Sequence, residues 1–196
     1  MARILAIYGS PRRKGNTSLL LKEAVAGAIA AGAQVDEIIL RDLTMAPCLE
    51  IYGCKKDGRC VIQDDFQRVY ELIESCDGFM LASPIFFYTV SAHTKIFMDR
   101  CQSFWVKRYW IDKETSEART YGRKGIFIAA GGTKGKRLFE GAQLTARYFY
   151  DALDAELWRS LLYPGLEEQG AVQNHPQYLE EAYEAGKSLA EELMKR

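Results

Sequence analysis

The chain carries no excess charge of either sign: 26 Lys and Arg stand against 26 Asp and Glu among 196 residues. A dedicated nucleic-acid binder needs a basic excess to meet phosphates, so that class is disfavoured. No apolar run approaches the roughly 18 residues that span a bilayer. The longest, such as Gly125–Ala130, have the length of a strand. The opening residues, Met1 to Tyr8, hold one basic residue, Arg3, and lead straight into a loop. They lack the long apolar core and small-residue cleavage site of a secretory leader. A cytoplasmic chain without a membrane partner is expected. There is no internal repeat, no low-complexity tract, no G-x-x-x-x-G-K-[ST] and no G-x-G-x-x-G. The last two absences argue against a P-loop and against a dinucleotide held in Rossmann fashion.

What is present suits one ordinary folded unit. Apolar residues make up 48% and charged residues 27%, enough for a full core and too apolar for disorder. The length predicts a single domain over 1–196. Short apolar runs alternate with longer amphipathic ones. Strands are expected at Ile4–Tyr8, Val35–Leu40, Gly78–Ala82, Gly125–Ala130 and Glu156–Leu162. Helices are expected at Thr17–Ala33, Phe66–Ser75, Ala92–Phe104, Phe139–Leu153 and Pro176–Lys195. Such alternation implies an α/β fold, a parallel sheet with helices on both faces. Two stretches lack periodicity, Thr44–Asp65 and Trp105–Lys124, and read as loop insertions and not as a second domain.

Ligands of such sheets bind beyond the carboxyl ends of the strands. Three loops at that edge are unusual. The first, Gly9 to Ser18, is rich in hydroxyls and positive charge and opens a helix. A helix N-terminus offers free N–H groups to a phosphate, and Ser10, Arg12, Asn16, Thr17 and Ser18 can add donors. The plainer alternative is a capping turn beside a solvated basic patch; a cap needs only one Ser or Thr. The second loop, Ser83 to Ser91, places Pro84, Ile85, Phe86 and Phe87 at the sheet edge, where a flat aromatic ligand would cover them. Packing onto the core or onto another subunit would do the same. The third, Ala129 to Gly135, has Gly131 and Gly132, which permit close backbone approach. A phosphate end, a stacking surface and a backbone edge are together what flavin mononucleotide (FMN) requires.

Gly9-Ser10-Pro11-Arg12 with Gly15-Asn16-Thr17, then Ser83-Pro84-Ile85-Phe86-Phe87 with Val90-Ser91-Ala92, then Lys95 and Met98-Asp99-Arg100, resembles the NADPH-dependent FMN reductase family. Within it the chain is most similar to the iron–sulfur flavoprotein branch. The resemblance is strongest from Ile4 to Arg100 and includes Gly170-Ala171-Val172 and His175-Pro176. It implies a flavodoxin-like fold, a doubly wound five-stranded parallel sheet in the order 2-1-3-4-5 between two helical layers. It also implies FMN at the strand ends, homodimers or homotetramers, and electrons from a reduced nicotinamide or a protein donor. Carried over by position, Ser10, Arg12, Asn16, Thr17 and Ser18 hold the phosphate. Pro84, Ile85, Phe86 and Phe87 line the ring, and Gly131 and Gly132 approach its far edge. No catalytic acid or base is expected, because the flavin carries the redox chemistry.

The iron–sulfur branch has a compact four-cysteine motif where this chain has Cys48, Cys54 and Cys60. Aligned on Cys54, Gly58 and Cys60, the second cysteine position falls on Ile51, which cannot ligate iron. Three readings compete for these thiols: no metal, an incomplete iron–sulfur cluster, and zinc or a disulfide. Cys76 and Cys101 read as buried small apolar residues. His93 reads as an ordinary helix-start residue or one at the flavin edge, His175 as a loop residue, and Trp105, Tyr109 and Trp110 as a cover for the flavin or for a neighbouring subunit, or equally as a mobile aromatic lid. The leading function is an FMN-dependent oxidoreductase moving electrons from NAD(P)H to a quinone, free flavin or similar small acceptor. The alternative is a single-electron carrier fed by ferredoxin, in which the three cysteines are ligands to a cluster or remnants of one. Nothing specific supports a purely regulatory module.

Overall fold

A computed structural model describes residues 1–113 and 121–195. The five strands are β1 (Arg3–Tyr8), β2 (Gln34–Ile39), β3 (Gly78–Pro84), β4 (Arg123–Gly131) and β5 (Ala155–Pro164). They form one sheet in the order β2-β1-β3-β4-β5, with every neighbouring pair parallel. The helices are α1 (Asn16–Ala30), α2 (Phe66–Ser75), α3 (Ala92–Arg100), α4 (Gln102–Val106), α5 (Glu140–Ala152) and α6 (Pro176–Met194).

Continuous apolar strands are what a sheet covered on both faces requires. Alternation sends successive side chains to opposite layers. Ile4, Ala6, Met80, Ala82, Ile126 and Ile128 pack under α1 and α6. Leu5, Ile7, Phe79, Leu81, Phe127 and Ala129 pack under α2, α3 and α5. Helices α1 and α6 touch backbone to backbone: a side chain at Gly186 would collide with the Ala24 carbonyl, and one at Gly27 with the Tyr183 carbonyl. That contact fixes the axis of α1, whose first turn opens the site described below. Among the described residues no helix is long and apolar enough to cross a membrane.

The expected elements are all present, with shifted ends. Helix α1 stops at Ala30, and Gly32 takes a left-handed φ of +92°. Strand β2 ends at Ile39 because Leu40 enters a 3-10 turn. Strand β4 runs on through Gly131, and β5 through Pro164. The single helix expected over Ala92–Phe104 is broken at Cys101, whose ψ of 0° ends α3 and starts α4. The irregular stretch expected from Trp105 is helical as far as Ile111, with a π turn over Lys107–Ile111. Residues 114–120 of that stretch lie outside the described residues.

Candidate functional site

Order 2-1-3-4-5 reverses its winding between β1 and β3, and the loops leaving these strands diverge around a crevice. Hydrogen bonds tie its rim together. Ser91 Oγ donates to the Gly9 carbonyl at 2.6 Å and also caps α3 at Thr94 N. Ile85 N donates to Ala130 O at 2.9 Å. Leu166 N donates to Gly131 O at 3.0 Å, and Gly165 N to Thr133 O at 3.1 Å. Four strand-end loops therefore form one connected frame, after β1, β3, β4 and β5.

Nine of the eleven residues expected to bind a cofactor line this one crevice. From the first loop they are Ser10, Arg12, Asn16 and Thr17. From the other loops they are Pro84, Ile85, Phe86, Gly131 and Gly132. Ser18 and Phe87 lie outside its wall. Ser18 is buried and its Oγ donates to the Arg12 carbonyl at 3.1 Å. Phe87 is fully exposed at the tip of a two-residue hairpin closed by Phe86 and Thr89. Phe87 and Tyr88 both have left-handed backbones, with φ of 49° and 63°.

The first turn of α1 has the features of an anion site. Gly15 precedes it and supplies no side-chain cap, so its leading N–H groups stay free. Thr17 is 2% exposed, and its Oγ1 has no hydrogen-bond partner. Leaving a buried hydroxyl unpaired costs about 1–3 kcal/mol, so an acceptor in the crevice would relieve it. Ser10 Oγ accepts from Arg12 N and donates to Arg12 O, both at 3.1 Å, which shapes the loop. Arg12 is exposed on the crevice wall.

Asn16 has a different task from the one its sequence suggests. Its Nδ2 donates to Leu166 O at 3.1 Å and Glu168 O at 2.9 Å, and its Oδ1 accepts from Val172 N at 3.1 Å. The side chain is thus spent on the β5–α6 loop, which leaves its backbone N–H for an anion at the helix start. That loop also brings Leu166, Glu167 and Gln169 to the crevice, which sequence reasoning missed. The signal was the rule that every strand-end loop borders the crevice, applied to β5 as well. Glu167 sits over Gly132, where any added Cβ would strike its carboxylate.

The donor set fits FMN: free N–H groups, an orphaned hydroxyl and a cation at one end, and an apolar wall with two glycines at the other. His93 and His175 are outside the wall, and His175 stacks on Tyr178 at 4.9 Å. Trp105, Tyr109 and Trp110 also lie outside it. Trp110 instead meets Lys55, whose Nζ lies 4.4 Å from the ring, beside the cysteine segment.

Cys48, Cys54 and Cys60 are half-buried and line one small cavity together with Ile51. Burial pushes the Cys54 thiol up, and the neighbouring Cys60 and Cys48 add to this. Cys76 is pushed up to about 12 by burial, and Cys101 well above its ordinary range. These two behave as core residues. Four thiolates are the ordinary ligand set of a cubane cluster. Three are present, so the residues do not fit a four-thiolate cluster. Among the described residues no three His, Cys, Asp or Glu side chains are placed to hold a metal ion.

The model of the NADPH-dependent FMN reductase family matches residues 2–151. The chain belongs to that family. A curated iron–sulfur flavoprotein of Methanocaldococcus jannaschii is 39% identical over 98 residues, covering 50% of this chain and 51% of that one. One from Archaeoglobus fulgidus is 32% identical over 131 residues, covering 67% and 63%. The matches thus span between half and two thirds of these relatives. Among solved structures, a flavone reductase superposes with a TM-score of 0.72 at 18% identity, over 98% of this chain and 63% of its own. An archaeal flavodoxin superposes with a TM-score of 0.58 at 13% identity, over 98% and 99%. The fold of this family member is flavodoxin-like.

Proposed function

We propose that this family member binds FMN in the crevice and acts as an oxidoreductase, passing electrons from NAD(P)H to a quinone, free flavin or similar small acceptor. The observation that carries the reading is Thr17: a buried hydroxyl without a partner, on an uncapped helix start, facing the crevice. Family membership supports the same cofactor.

FMN supplies the redox chemistry when bound. The chain's own work is positioning. The first N–H groups of α1, the Thr17 hydroxyl and Arg12 would hold the phosphate, with Ser10 shaping the loop through its two bonds to Arg12. Ser18 contributes through its backbone, its hydroxyl being used on Arg12 O. Pro84, Ile85 and Phe86 form the apolar wall that excludes water from the ring. Gly131 and Gly132 bring backbone to its edge, and Phe87 offers an exposed aromatic face beside it. No side chain is assigned a proton transfer. A homodimer or homotetramer would cover the exposed Phe87 and Tyr88. Mixing FMN-loaded protein with NADPH without oxygen tests the reading. Rapid loss of the flavin absorption is expected; a band untouched by both NADPH and NADH would overturn it.

A second reading makes the chain an electron carrier fed by ferredoxin, with Cys48, Cys54 and Cys60 at an iron–sulfur site. Three thiols on the wall of one cavity favour it, as do the names of the curated relatives. Ile51 at the fourth corner weighs against it. Loss of the flavin band with reduced ferredoxin and not with nicotinamides would select this reading.

A further inference from the structure

The cysteine segment is held with more care than an idle loop requires. Arg100, on the last turn of α3, is buried and donates to Ala46 O at 2.9 Å, Ile62 O at 3.3 Å and Asp64 Oδ1 at 3.0 Å. One guanidinium therefore closes both ends of the stretch that carries Cys48, Cys54 and Cys60. Within it the chain bends sharply on either side of Ile51: Glu50 and Tyr52 are both left-handed, with φ of 50° and 59°. The bends leave Ile51 on the wall of the cavity that the three thiols share.

Among the described residues that line the cavity, the fourth corner has no substitute thiol. Ile51 has only carbon to offer. Glu50 is the acidic residue on the same wall, and its carboxylate accepts from the Tyr52 hydroxyl at 3.0 Å. A carboxylate is also a hard ligand, poorly matched to a soft iron–sulfur core. Cys101 is 1% exposed within the main core cluster and does not line the cavity. The cavity itself is about 30 Å³, room for about two water molecules. A cubane would have to open the loop with three protein bonds where four are usual.

We propose that this chain, although similar to proteins named iron–sulfur flavoproteins, holds no stable four-iron cluster, because Ile51 stands where the fourth thiolate would have to come from. The thiol segment keeps the clamp and the bends of a cluster loop with one corner blanked. A flavoenzyme without that relay moves electrons in pairs between nicotinamide and acceptor. The proposal concerns the thiol segment alone and stands or falls independently of FMN binding.

The test is anaerobic reconstitution of the full chain with ferrous iron and sulfide, followed by iron and sulfide analysis and a visible spectrum. The unaltered chain is expected to retain well under one cluster after desalting. Ile51→Cys is expected to retain about four irons and four sulfides with broad brown absorption, the stoichiometry of a cubane held by four thiolates. Ile51→Cys combined with Cys54→Ser should lose them again. Ile51 is 60% exposed, so its replacement removes little packing, and the measurement on the unaltered chain needs no variant. A full cluster on the unaltered chain would overturn the proposal. So would an Ile51→Cys chain that holds no more iron than the original.

Discussion

Asn16 Nδ2 donates to the Leu166 carbonyl at 3.1 Å, joining the first turn of α1 to the loop after β5 across 150 residues. With Glu168 O and Val172 N it makes three bonds from one side chain. The side chain that the loop pattern assigns to phosphate instead builds the wall on which Leu166, Glu167 and Gln169 sit. Asn16→Ala should destabilise the fold by about 1–3 kcal/mol, because it strands the N–H of fully buried Val172. Urea denaturation of the variant checks this. An unchanged midpoint would show that the loop is held by other contacts.

Thr17→Val should move two quantities in opposite directions. The change keeps the shape and removes an unpartnered buried hydroxyl, so the empty protein should gain up to about 1 kcal/mol. Affinity for FMN should fall about tenfold, the worth of one hydrogen bond to a charged group. Thermal melts without flavin and a fluorescence titration with it give the two readings. Parallel changes would remove the hydroxyl from the phosphate site.

Asp64 and Arg100 set an acid limit on stability. Burial alone would raise the Asp64 pKa, but the Arg100 guanidinium and the N–H groups of Ala46 and Phe66 outweigh it and hold the carboxyl below its ordinary value. A carboxylate with a depressed folded pKa stabilises above its unfolded pKa of about 4 and loses that contribution as pH falls through the folded value. Melting temperature should therefore drop steeply below about pH 4. Asp64→Asn should flatten that acid limb. It should also cost about 3–5 kcal/mol at neutral pH, because Arg100 is left buried without its counter-ion. Melts across the acid range of both proteins decide it.

The Phe86–Thr89 hairpin stores strain. Its two central residues, Phe87 and Tyr88, take the positive φ that Asn and Gly adopt freely in such turns. Tyr88→Gly should stabilise the fold by about 1 kcal/mol after the extra chain entropy of glycine is subtracted. If the aromatic pair serves the flavin or a second copy, the same variant should slow NADPH turnover or weaken self-association. A more stable variant with unaltered turnover and mass would assign the strain no function.

Much of this was legible in the sequence. The central strands β1, β3 and β4 were legible as apolar runs because a doubly covered sheet leaves them no polar face, while the edge strands β2 and β5 mix apolar residues with Asp36, Glu37, Glu156 and Arg159. The crevice loops were legible because free helix N–H groups, glycines and exposed aromatics are conspicuous at strand ends. What was hidden depended on distant partners. Nothing local marks the break at Cys101; apolar periodicity runs on from Phe97 to Phe104 across it. Arg100 just before it is drawn to Asp64, 36 residues away. Asn16 looked like a phosphate donor until Leu166, Glu168 and Val172 claimed its amide. Trp105, Tyr109 and Trp110 read as a cover for the flavin or for a neighbouring subunit; they lie outside the crevice wall, and Trp110 meets Lys55 beside the cysteine segment.

The central claim is an FMN phosphate held at the start of α1. The most direct measurement compares FMN with riboflavin, the same ring and side chain without the phosphate, by fluorescence titration of the flavin-free protein. FMN should bind at least about tenfold more tightly, since charge-assisted bonds to a phosphate are worth about 1.5–3 kcal/mol each. The advantage should shrink as salt rises and screens the exposed Arg12. Equal affinity for the two flavins, or none for either, would contradict the account.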